Sequence, residues 1–343
     1  MATAAEQASN TEAYTVGWIT ALHIEMAAAI AMLDETHAKL PYDEYDPTLY
    51  TLGRIGPHNV VIVCLPGGQT GLSPATEVAT RMLNKFRFIK IGFMVGIGGG
   101  IPTREKDIRL GDVVVSLPDL DHGGVVQYDI GKAEVDGQFR RTGHLDLPPK
   151  LLLNVVQQAR SDLELGVSTF KQHLSVFQNN DRLRKFTSDQ TGPDLLFQSS
   201  YVHVDGPDGL SCNNCSHKML IERRPRTVTG TPVEIHFGTI ASGNRVIKDA
   251  HVRDQILKAL GGRVLCYEME AAGLMNVFRC LVVRGICDYA DSHKQDNWQR
   301  YAAATAAAYT KELLLLTPSA NISSLQSMVA PTAGTIPTAK SIG

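Results

Sequence analysis

Two largely apolar runs near the end of the chain each lead directly into acidic residues. Residues 263–267 precede Glu268 and Glu270, and residues 281–287 precede Asp288. Short apolar runs of this length are typical of buried β-strands. Because ligands in open α/β sheets bind at the carboxyl ends of strands, two strand ends that carry three acids predict one ligand site.

Each acid taken alone has an ordinary structural explanation, as a helix-start acid or an N-cap. The combination is more specific. Glu-Met-Glu-Ala at 268–271, followed by Val-Arg-Gly-Ile-x-Asp-x-Ala-Asp at 283–291, resembles the signature of the purine nucleoside phosphorylase/uridine phosphorylase superfamily, in its methylthioadenosine nucleosidase-like branch. The resemblance extends over about residues 14–316 and is closest to the fungal nucleoside phosphorylase-like domains.

The resemblance implies a single α/β domain, a three-layer α/β/α arrangement around a central mixed β-sheet. We expect a loose N-terminal tail over residues 1–13 and a domain over 14–316 with an irregular insertion at about 165–232. Residues 317–343 are rich in Ser, Thr, Pro and Gly, which predicts a disordered tail. Homo-oligomers, most simply dimers, are usual among the resembled proteins and are expected here.

The composition limits the kinds of molecule that this protein is expected to bind. The 343 residues are 43% hydrophobic and 20% charged, with a net charge of −2, so we expect no basic surface that would attract nucleic acid or an anionic membrane. The first residues lack the charged and apolar regions of a signal peptide, and no apolar run approaches the length of a membrane span. We therefore expect a cytoplasmic protein with reduced cysteines that acts on a small molecule.

A glycine-rich loop, Gly96-Ile97-Gly98-Gly-Gly, follows another predicted buried strand. A dinucleotide fingerprint would need glycines at 96, 98 and 101 before a helix, but position 101 is Ile and a proline follows it. This pattern excludes a Rossmann site, and we expect no organic cofactor. The resemblance implies instead that Gly96, Ile97 and Gly98 pass close to the ligand.

Cleavage of a purine N-glycosidic bond needs a proton for the departing base and negative charge beside the ribose, where positive charge grows. The resemblance places Asp288 at the base, where it would act as the acid if it is protonated or relays a proton. Burial would raise its pKa and favour the protonated form. It places Glu270, Met269 and Glu268 at the ribose. The purine pocket would be formed by Asn244, Val246 and Ile247.

Three positions decide between water and phosphate as the attacking group. The phosphate-binding positions of the resembled phosphorylases correspond to Glu25, Met94 and Ile97. A carboxylate would repel phosphate, and the other two side chains have no hydrogen-bond donor. Glu25 matches instead the residue that activates water in the nucleosidase branch, with Arg284 placed to hold Glu25 or the water, so hydrolysis is favoured.

The insertion contains Cys212-Asn-Asn-Cys215, with His203 and His217 nearby. Structural zinc takes four protein ligands, usually from paired knuckles, and the sequence has no second C-x2-C pair. An incidental pair of loop cysteines is the favoured interpretation, so no metal site is predicted and metal binding is left as an alternative.

The predicted function is a purine nucleosidase that hydrolyses adenosine, inosine or guanosine to free base and ribose without a cofactor. A methylthioadenosine/S-adenosylhomocysteine nucleosidase and a phosphate-dependent phosphorylase are alternatives, because the sequence leaves the 5′ substituent of the substrate open. Val246 stands where an aromatic residue often stacks on the base, so the purine is open as well. A non-catalytic nucleoside-sensing module is the alternative of another class.

Overall fold

The computed structural model describes residues 11–41, 43–135, 139–205, 211–226 and 233–329. Its strands are β1 (Val16–Thr20), β2 (Glu35–Thr36), β3 (Tyr50–Ile55), β4 (His58–Cys64), β5 (Ile91–Gly100), β6 (Val113–Ser116), β7 (Val125–Gln127), β8 (Gly131–Ala133), β9 (Phe139–Arg141), β10 (Ile235–Ser242), β11 (Val264–Glu268) and β12 (Cys280–Asp288). Its α-helices are α1 (His23–Ala31), α2 (Leu72–Lys85), α3 (Lys150–Glu164), α4 (Phe170–Gln178), α5 (Ala250–Ala259), α6 (Ala271–Leu274), α7 (Gln299–Leu315) and α8 (Ser319–Ser324).

Ten of these strands form a central sheet in the order β11-β10-β6-β12-β5-β1-β4-β3-β2, with β7 paired to β10, and β8 and β9 form a separate two-stranded sheet. β5 lies in its middle, parallel to both β1 and β12. In contrast, β6 runs antiparallel to β12, and β3 forms an antiparallel hairpin with β4. The predicted mixed sheet is therefore confirmed.

Helices cover both faces of this sheet. On one face, α1, α3, α4 and α7 pack against apolar residues of β1, β5 and β12. On the other face, α2 and α6 pack against the opposite side chains of the same strands. Strands that are covered on both faces read as nearly continuous apolar runs, which explains the runs seen in the sequence. The predicted three-layer α/β/α arrangement is confirmed.

The end of β5, in the middle of the sheet, also pairs with β11, a strand at the edge of the sheet. Gly99 and Gly100 pair antiparallel with Tyr267 and Cys266 of β11. A Cβ added at Gly99 would lie 2.8 Å from a carboxylate oxygen of Asp288, so a side chain there would keep the strands apart. The glycine run therefore allows the carboxyl ends of β5, β11 and β12 to meet.

Two segments that were predicted to be irregular contain helices. The 165–232 insertion begins with α4, whose apolar side chains are buried in the core. The predicted disordered tail begins with α8, where Ile322 is buried. Helices this short carry too little periodicity to be recognised from the sequence, so neither was predicted. Residues 1–10 and 330–343, which complete the two predicted tails, lie outside the described residues.

α7 is a 17-residue, alanine-rich helix that lies directly on β12. A Cβ added at Gly285 of β12 would be 1.8 Å from the carbonyl oxygen of Ala302 in α7. The small residues on both elements therefore let the helix backbone approach the strand closely. Among the described residues, neither α7 nor any other helix is long and apolar enough to cross a membrane.

Gly285→Ala is expected to destabilise the protein by about 3 kcal/mol, because the added methyl group would overlap the backbone of α7. Gly67→Ala is the matched control, since nothing lies within 4 Å of a Cβ at that position. Urea unfolding followed by circular dichroism measures both changes. If Gly285→Ala destabilised the protein no more than the control does, the close packing of α7 on β12 would be disproved.

Candidate active site

The carboxyl ends of β5, β11 and β12 open into one shared cavity, the place where ligands bind in open α/β sheets. Gly96 and Asn244 are not among the residues that line it. The other sequence-predicted site residues all line this one cavity: Glu25, Ile97, Gly98, Val246, Ile247, Glu268, Met269, Glu270, Arg284 and Asp288.

Backbone N–H groups fix the side chain of Glu25, in the first turn of α1. One carboxylate oxygen accepts hydrogen bonds from the N–H groups of Ala21 at 2.7 Å and Leu22 at 2.9 Å. The other oxygen accepts one from Ile97 at 2.8 Å, which ties α1 to β5. Burial raises the pKa of Glu25, although Arg284 and these hydrogen bonds oppose the rise. A fixed carboxylate with a raised pKa is suited to accept a proton from water.

Arg284 lies among the acids of the cavity and is 1% exposed. Its guanidinium pairs with Glu268 and, at 3.4 Å, with Glu270. Among the described residues Arg284 forms no ion pair with Glu25 and lowers its pKa only as a nearby charge. The alternative, that Arg284 holds the attacking water, stays a prediction. A Cβ at Gly96 would lie 2.4 Å from Glu25 Oε1 and 2.6 Å from Arg284 Nη1. Gly96 is therefore needed beside these charges, although it does not line the cavity.

The two glutamates of the Glu-Met-Glu motif have different partners. Glu268 accepts hydrogen bonds from the N–H groups of Glu270 at 3.1 Å and Ala271 at 3.0 Å, in addition to its pairing with Arg284. These contacts show that Glu268 holds Arg284 and the start of α6. Its predicted place at the ribose stays a prediction. Glu270 accepts a hydrogen bond from Gly71 at 3.2 Å, and burial raises its pKa to about 7.

Asp288 lies in an environment that the sequence did not reveal. Lys294 forms an ion pair with its carboxylate at 2.5 Å, and the N–H group of Ala290 donates a hydrogen bond at 2.8 Å. Burial acts to raise the pKa of Asp288, but the charge of Lys294 and the hydrogen bonds outweigh it, so the pKa lies below its ordinary value. The expectation that burial keeps Asp288 protonated is therefore wrong, because a lysine shares its pocket.

The predicted purine-binding residues differ in position. Ile247 is buried, whereas Val246 is 57% exposed at the cavity. The side chain of Asn244 accepts a hydrogen bond from Leu72 at 3.0 Å and so holds the start of α2 instead of lining the cavity. Tyr267 supplies an aromatic side chain to the cavity wall from β11.

The cavity residues that escape the sequence-based prediction include Thr70, Arg245, Tyr267 and Lys294. Lys294 lies three residues beyond the 283–291 motif, in a polar segment where a lysine is ordinary. Thr70 lies in a different loop, residues 66–71 before α2, whose glycines are as typical of a tight turn as of a ligand contact. Only the fold shows that these side chains share one cavity.

No family model matches this chain. It is 46% identical over 308 residues to a nucleotide-binding leucine-rich repeat (NLR)-like protein from Hyaloscypha variabilis, a match that covers 89% of this chain and 29% of the relative. It is 23% identical over 320 residues to the ATP nucleosidase Cap17 from Escherichia coli, covering 91% of this chain and 52% of that relative. The chain thus spans about half or less of the length of these curated relatives.

The fold is similar to that of solved nucleosidase structures. The 5′-methylthioadenosine/S-adenosylhomocysteine nucleosidase from Helicobacter pylori aligns with a TM-score of 0.56 and 14% identity, over 88% of this chain and 98% of that chain. This similarity shows that the chain has the nucleosidase-type fold that its sequence motifs indicate.

Arg284→Met is expected to lower the free energy of unfolding by about 3–5 kcal/mol, because it leaves Glu268 and Glu270 buried without their cation. Arg87→Met removes an exposed arginine and should change this free energy by less than about 0.5 kcal/mol. Urea unfolding at neutral pH compares the two variants with the wild type. Equal stability of the two variants would contradict the importance of the buried ion pairs.

Proposed function

We propose that this protein is a purine nucleosidase, which hydrolyses the N-glycosidic bond of purine ribonucleosides such as adenosine, inosine and guanosine. The observation that carries the proposal is that Glu25, a buried and firmly held carboxylate, faces the same cavity as Glu270 and Asp288. A water oxygen forms a bond to C1′ of the ribose as the C1′–N9 bond breaks. Glu25 takes the proton of the water, and the base leaves with the bonding electron pair and takes a proton at N7.

The surroundings of Glu25 favour water over phosphate as the attacking group. Its negative charge would repel a phosphate ion. The Ile97 N–H group, a backbone donor that phosphate would need, already donates to Glu25. Met94 is fully buried and is not among the residues that line the cavity. These features support hydrolysis rather than phosphorolysis.

The ribose is proposed to bind at Glu270 and Met269. An ionised carboxylate can accept hydrogen bonds from both the 2′- and 3′-hydroxyl groups, because each of its oxygens is an acceptor. Negative charge at this position also stabilises the positive charge that the sugar gains as the bond breaks. Glu268 is proposed to act through Arg284, which pairs with both glutamates.

The base is proposed to lie at Asp288, which acts together with Lys294. Since Asp288 is ionised, the proton for N7 has to reach it from a donor in contact, and the Lys294 ammonium group is 2.5 Å away. A positive charge at this end of the cavity also stabilises the negative charge that the base gains. The carboxylates thus lie where the sugar gains positive charge, and the lysine lies where the base gains negative charge.

A purine nucleoside triphosphate is a second candidate substrate. The relative named ATP nucleosidase Cap17 supports it, and so does Arg245, an exposed residue that lines the cavity beside Val246. A guanidinium group in this position could pair with phosphates on the 5′ carbon. A 5′-methylthio group, as in methylthioadenosine, would make no use of that charge.

The alternative to an enzyme is a non-catalytic module that senses nucleosides. One relative is an NLR-like protein of which this chain spans 29%, so a domain of this kind can form part of a larger protein. A sensor would bind the nucleoside in the same cavity without turnover. We also propose that the protein is cytoplasmic and forms a homo-oligomer, with a dimer favoured.

The first test is an incubation of purified protein with adenosine, inosine, guanosine, methylthioadenosine and ATP, with and without phosphate. Chromatography of the sugar product is expected to show a free sugar formed without phosphate. Glu25→Gln and Asp288→Asn should each lower kcat by about 100-fold or more, whereas Glu105→Gln, at an exposed position, should leave kcat unchanged. Arg245→Ala should lower kcat/KM for ATP but not for adenosine if triphosphates are the substrate.

Two outcomes would contradict hydrolysis. Ribose 1-phosphate formed only in the presence of phosphate would show a phosphorylase. Nucleoside binding in calorimetry without turnover of any substrate would show a sensing module. Circular dichroism of each variant separates a loss of activity from a loss of folding.

The dependence of kcat/KM on pH tests the role of Glu270. Its raised pKa of about 7 means that the carboxylate is ionised above this pH and protonated below it. We expect kcat/KM to fall as the pH drops from about 8 to about 6, because a protonated group no longer accepts two hydroxyl hydrogen bonds. Glu270→Gln should be slower and should lack this inflection. An unchanged inflection in Glu270→Gln would assign it to another group, such as Glu25.

A further inference from the structure

A compact cluster of metal-binding side chains lies in the insertion, outside the residues that line the proposed active-site cavity. His203, Cys212 and Cys215 each place one ligand atom within 4.8 Å of the others. Both cysteines are buried, and they lie at the two ends of a short 3-10 turn in a C-x2-C spacing. This is the spacing with which a zinc knuckle provides two thiolates to one ion.

His293, from the segment after β12, is a second and independent indication of a ligand. It is 9% exposed, and neither of its ring nitrogens has a hydrogen-bond partner among the described residues. The nearest carboxylate oxygen, from Asp291, is 3.8 Å from Nδ1, which is too far for a hydrogen bond. The ring centroids of His293 and His203 are 5.5 Å apart. A buried imidazole whose nitrogens have no hydrogen-bond partner is unfavourable unless something binds it.

The sulfur atoms already receive hydrogen bonds of the kind that stabilise thiolates. The side-chain amide of Gln295 donates to Cys212 Sγ at 2.7 Å, and the N–H group of Val204 donates to Cys215 Sγ at 3.5 Å. Asp205 lies 3.4 Å from His203 Nδ1, and such outer carboxylates commonly orient metal-bound histidines. The surroundings of the cluster therefore resemble the outer contacts of a metal site.

We propose that His203, Cys212, Cys215 and His293 bind one Zn²⁺ ion in a structural site. Two thiolates and two neutral imidazoles balance the charge of the ion, and a set of two sulfur and two nitrogen ligands is the donor set that zinc prefers in closed tetrahedral sites. No second C-x2-C pair is needed, because the remaining two ligands come from His203 and from a segment 78 or more residues later in the chain.

The site would connect the insertion to the active-site cavity. His293 precedes Lys294, the residue that pairs with Asp288. Cys287 and Asp288 line the proposed active-site cavity and also a second cavity that Cys212 and His293 line. A metal ion held between the insertion and His293 would therefore position Lys294. The inference concerns a structural site and does not depend on the proposed function.

The test is the zinc content of the full chain, purified without a metal-affinity step and measured by inductively coupled plasma mass spectrometry. We expect about one zinc per chain in the wild type and in His217→Ala, a matched histidine control from the same segment. Cys212→Ser, Cys215→Ser, His203→Ala and His293→Ala should each hold less than about a tenth of that amount, or bind zinc at least about tenfold more weakly.

Two further measurements keep the test decisive if a variant fails to fold. Removal of metal from the wild type with a chelator should lower Tm, and added zinc should restore it. Cobalt substitution should give a visible spectrum with sulfur-to-cobalt charge transfer that is weakened in Cys212→Ser. Folded wild type that neither contains nor takes up zinc would overturn the proposal, as would a Cys212–Cys215 disulfide in the protein as purified. Full zinc content in His293→Ala would overturn the four-ligand site.

Discussion

The buried guanidinium of Arg284 is the interaction on which the cavity depends. Glu25, Glu268 and Glu270 converge from α1 and from the end of β11, and three buried carboxylates would repel one another without a cation. Arg284 comes from β12, the strand next to β5, and pairs with two of the three. Since its own charge is also unfavourable when buried, the acids and the arginine are each stable only in the presence of the other.

This arrangement of charge requires an unusually close approach of strands. The glycines at the end of β5 leave room for Glu25 and Arg284 on one side and for Asp288 on the other. Side chains at these positions would fill the space that the charged groups occupy. The glycine-rich loop is therefore a requirement of the cavity itself, rather than a dinucleotide-binding motif.

The cavity is polarised along its length. Glu25 and Glu270 have raised pKa values at one end, and Asp288 is held ionised by Lys294 at the other. The same type of side chain thus has different properties within one cavity, because its neighbours differ. A substrate that becomes positive at its sugar and negative at its base would be stabilised at both ends.

Much of the site could be predicted because its residues belong to two short motifs. Glu268, Met269 and Glu270 are contiguous, and Arg284 and Asp288 lie four positions apart on one strand. Partners that are distant in the chain could not be predicted in the same way. Nothing in the local sequence shows that Lys294 folds back onto Asp288, that Asn244 holds α2, or that His293 lies beside the insertion cysteines.

The sequence by itself determined the buried strands and the acids that face a common site, because these depend on local periodicity and motif spacing. The mixed sheet was expected only from the resemblance of those motifs to a known family. Only the tertiary structure decided the protonation of Asp288, the separate tasks of Glu268 and Glu270, and the cluster around Cys212 and Cys215. A pKa and a ligand set depend on which groups meet in space. These contacts are determined by the packing of the whole domain.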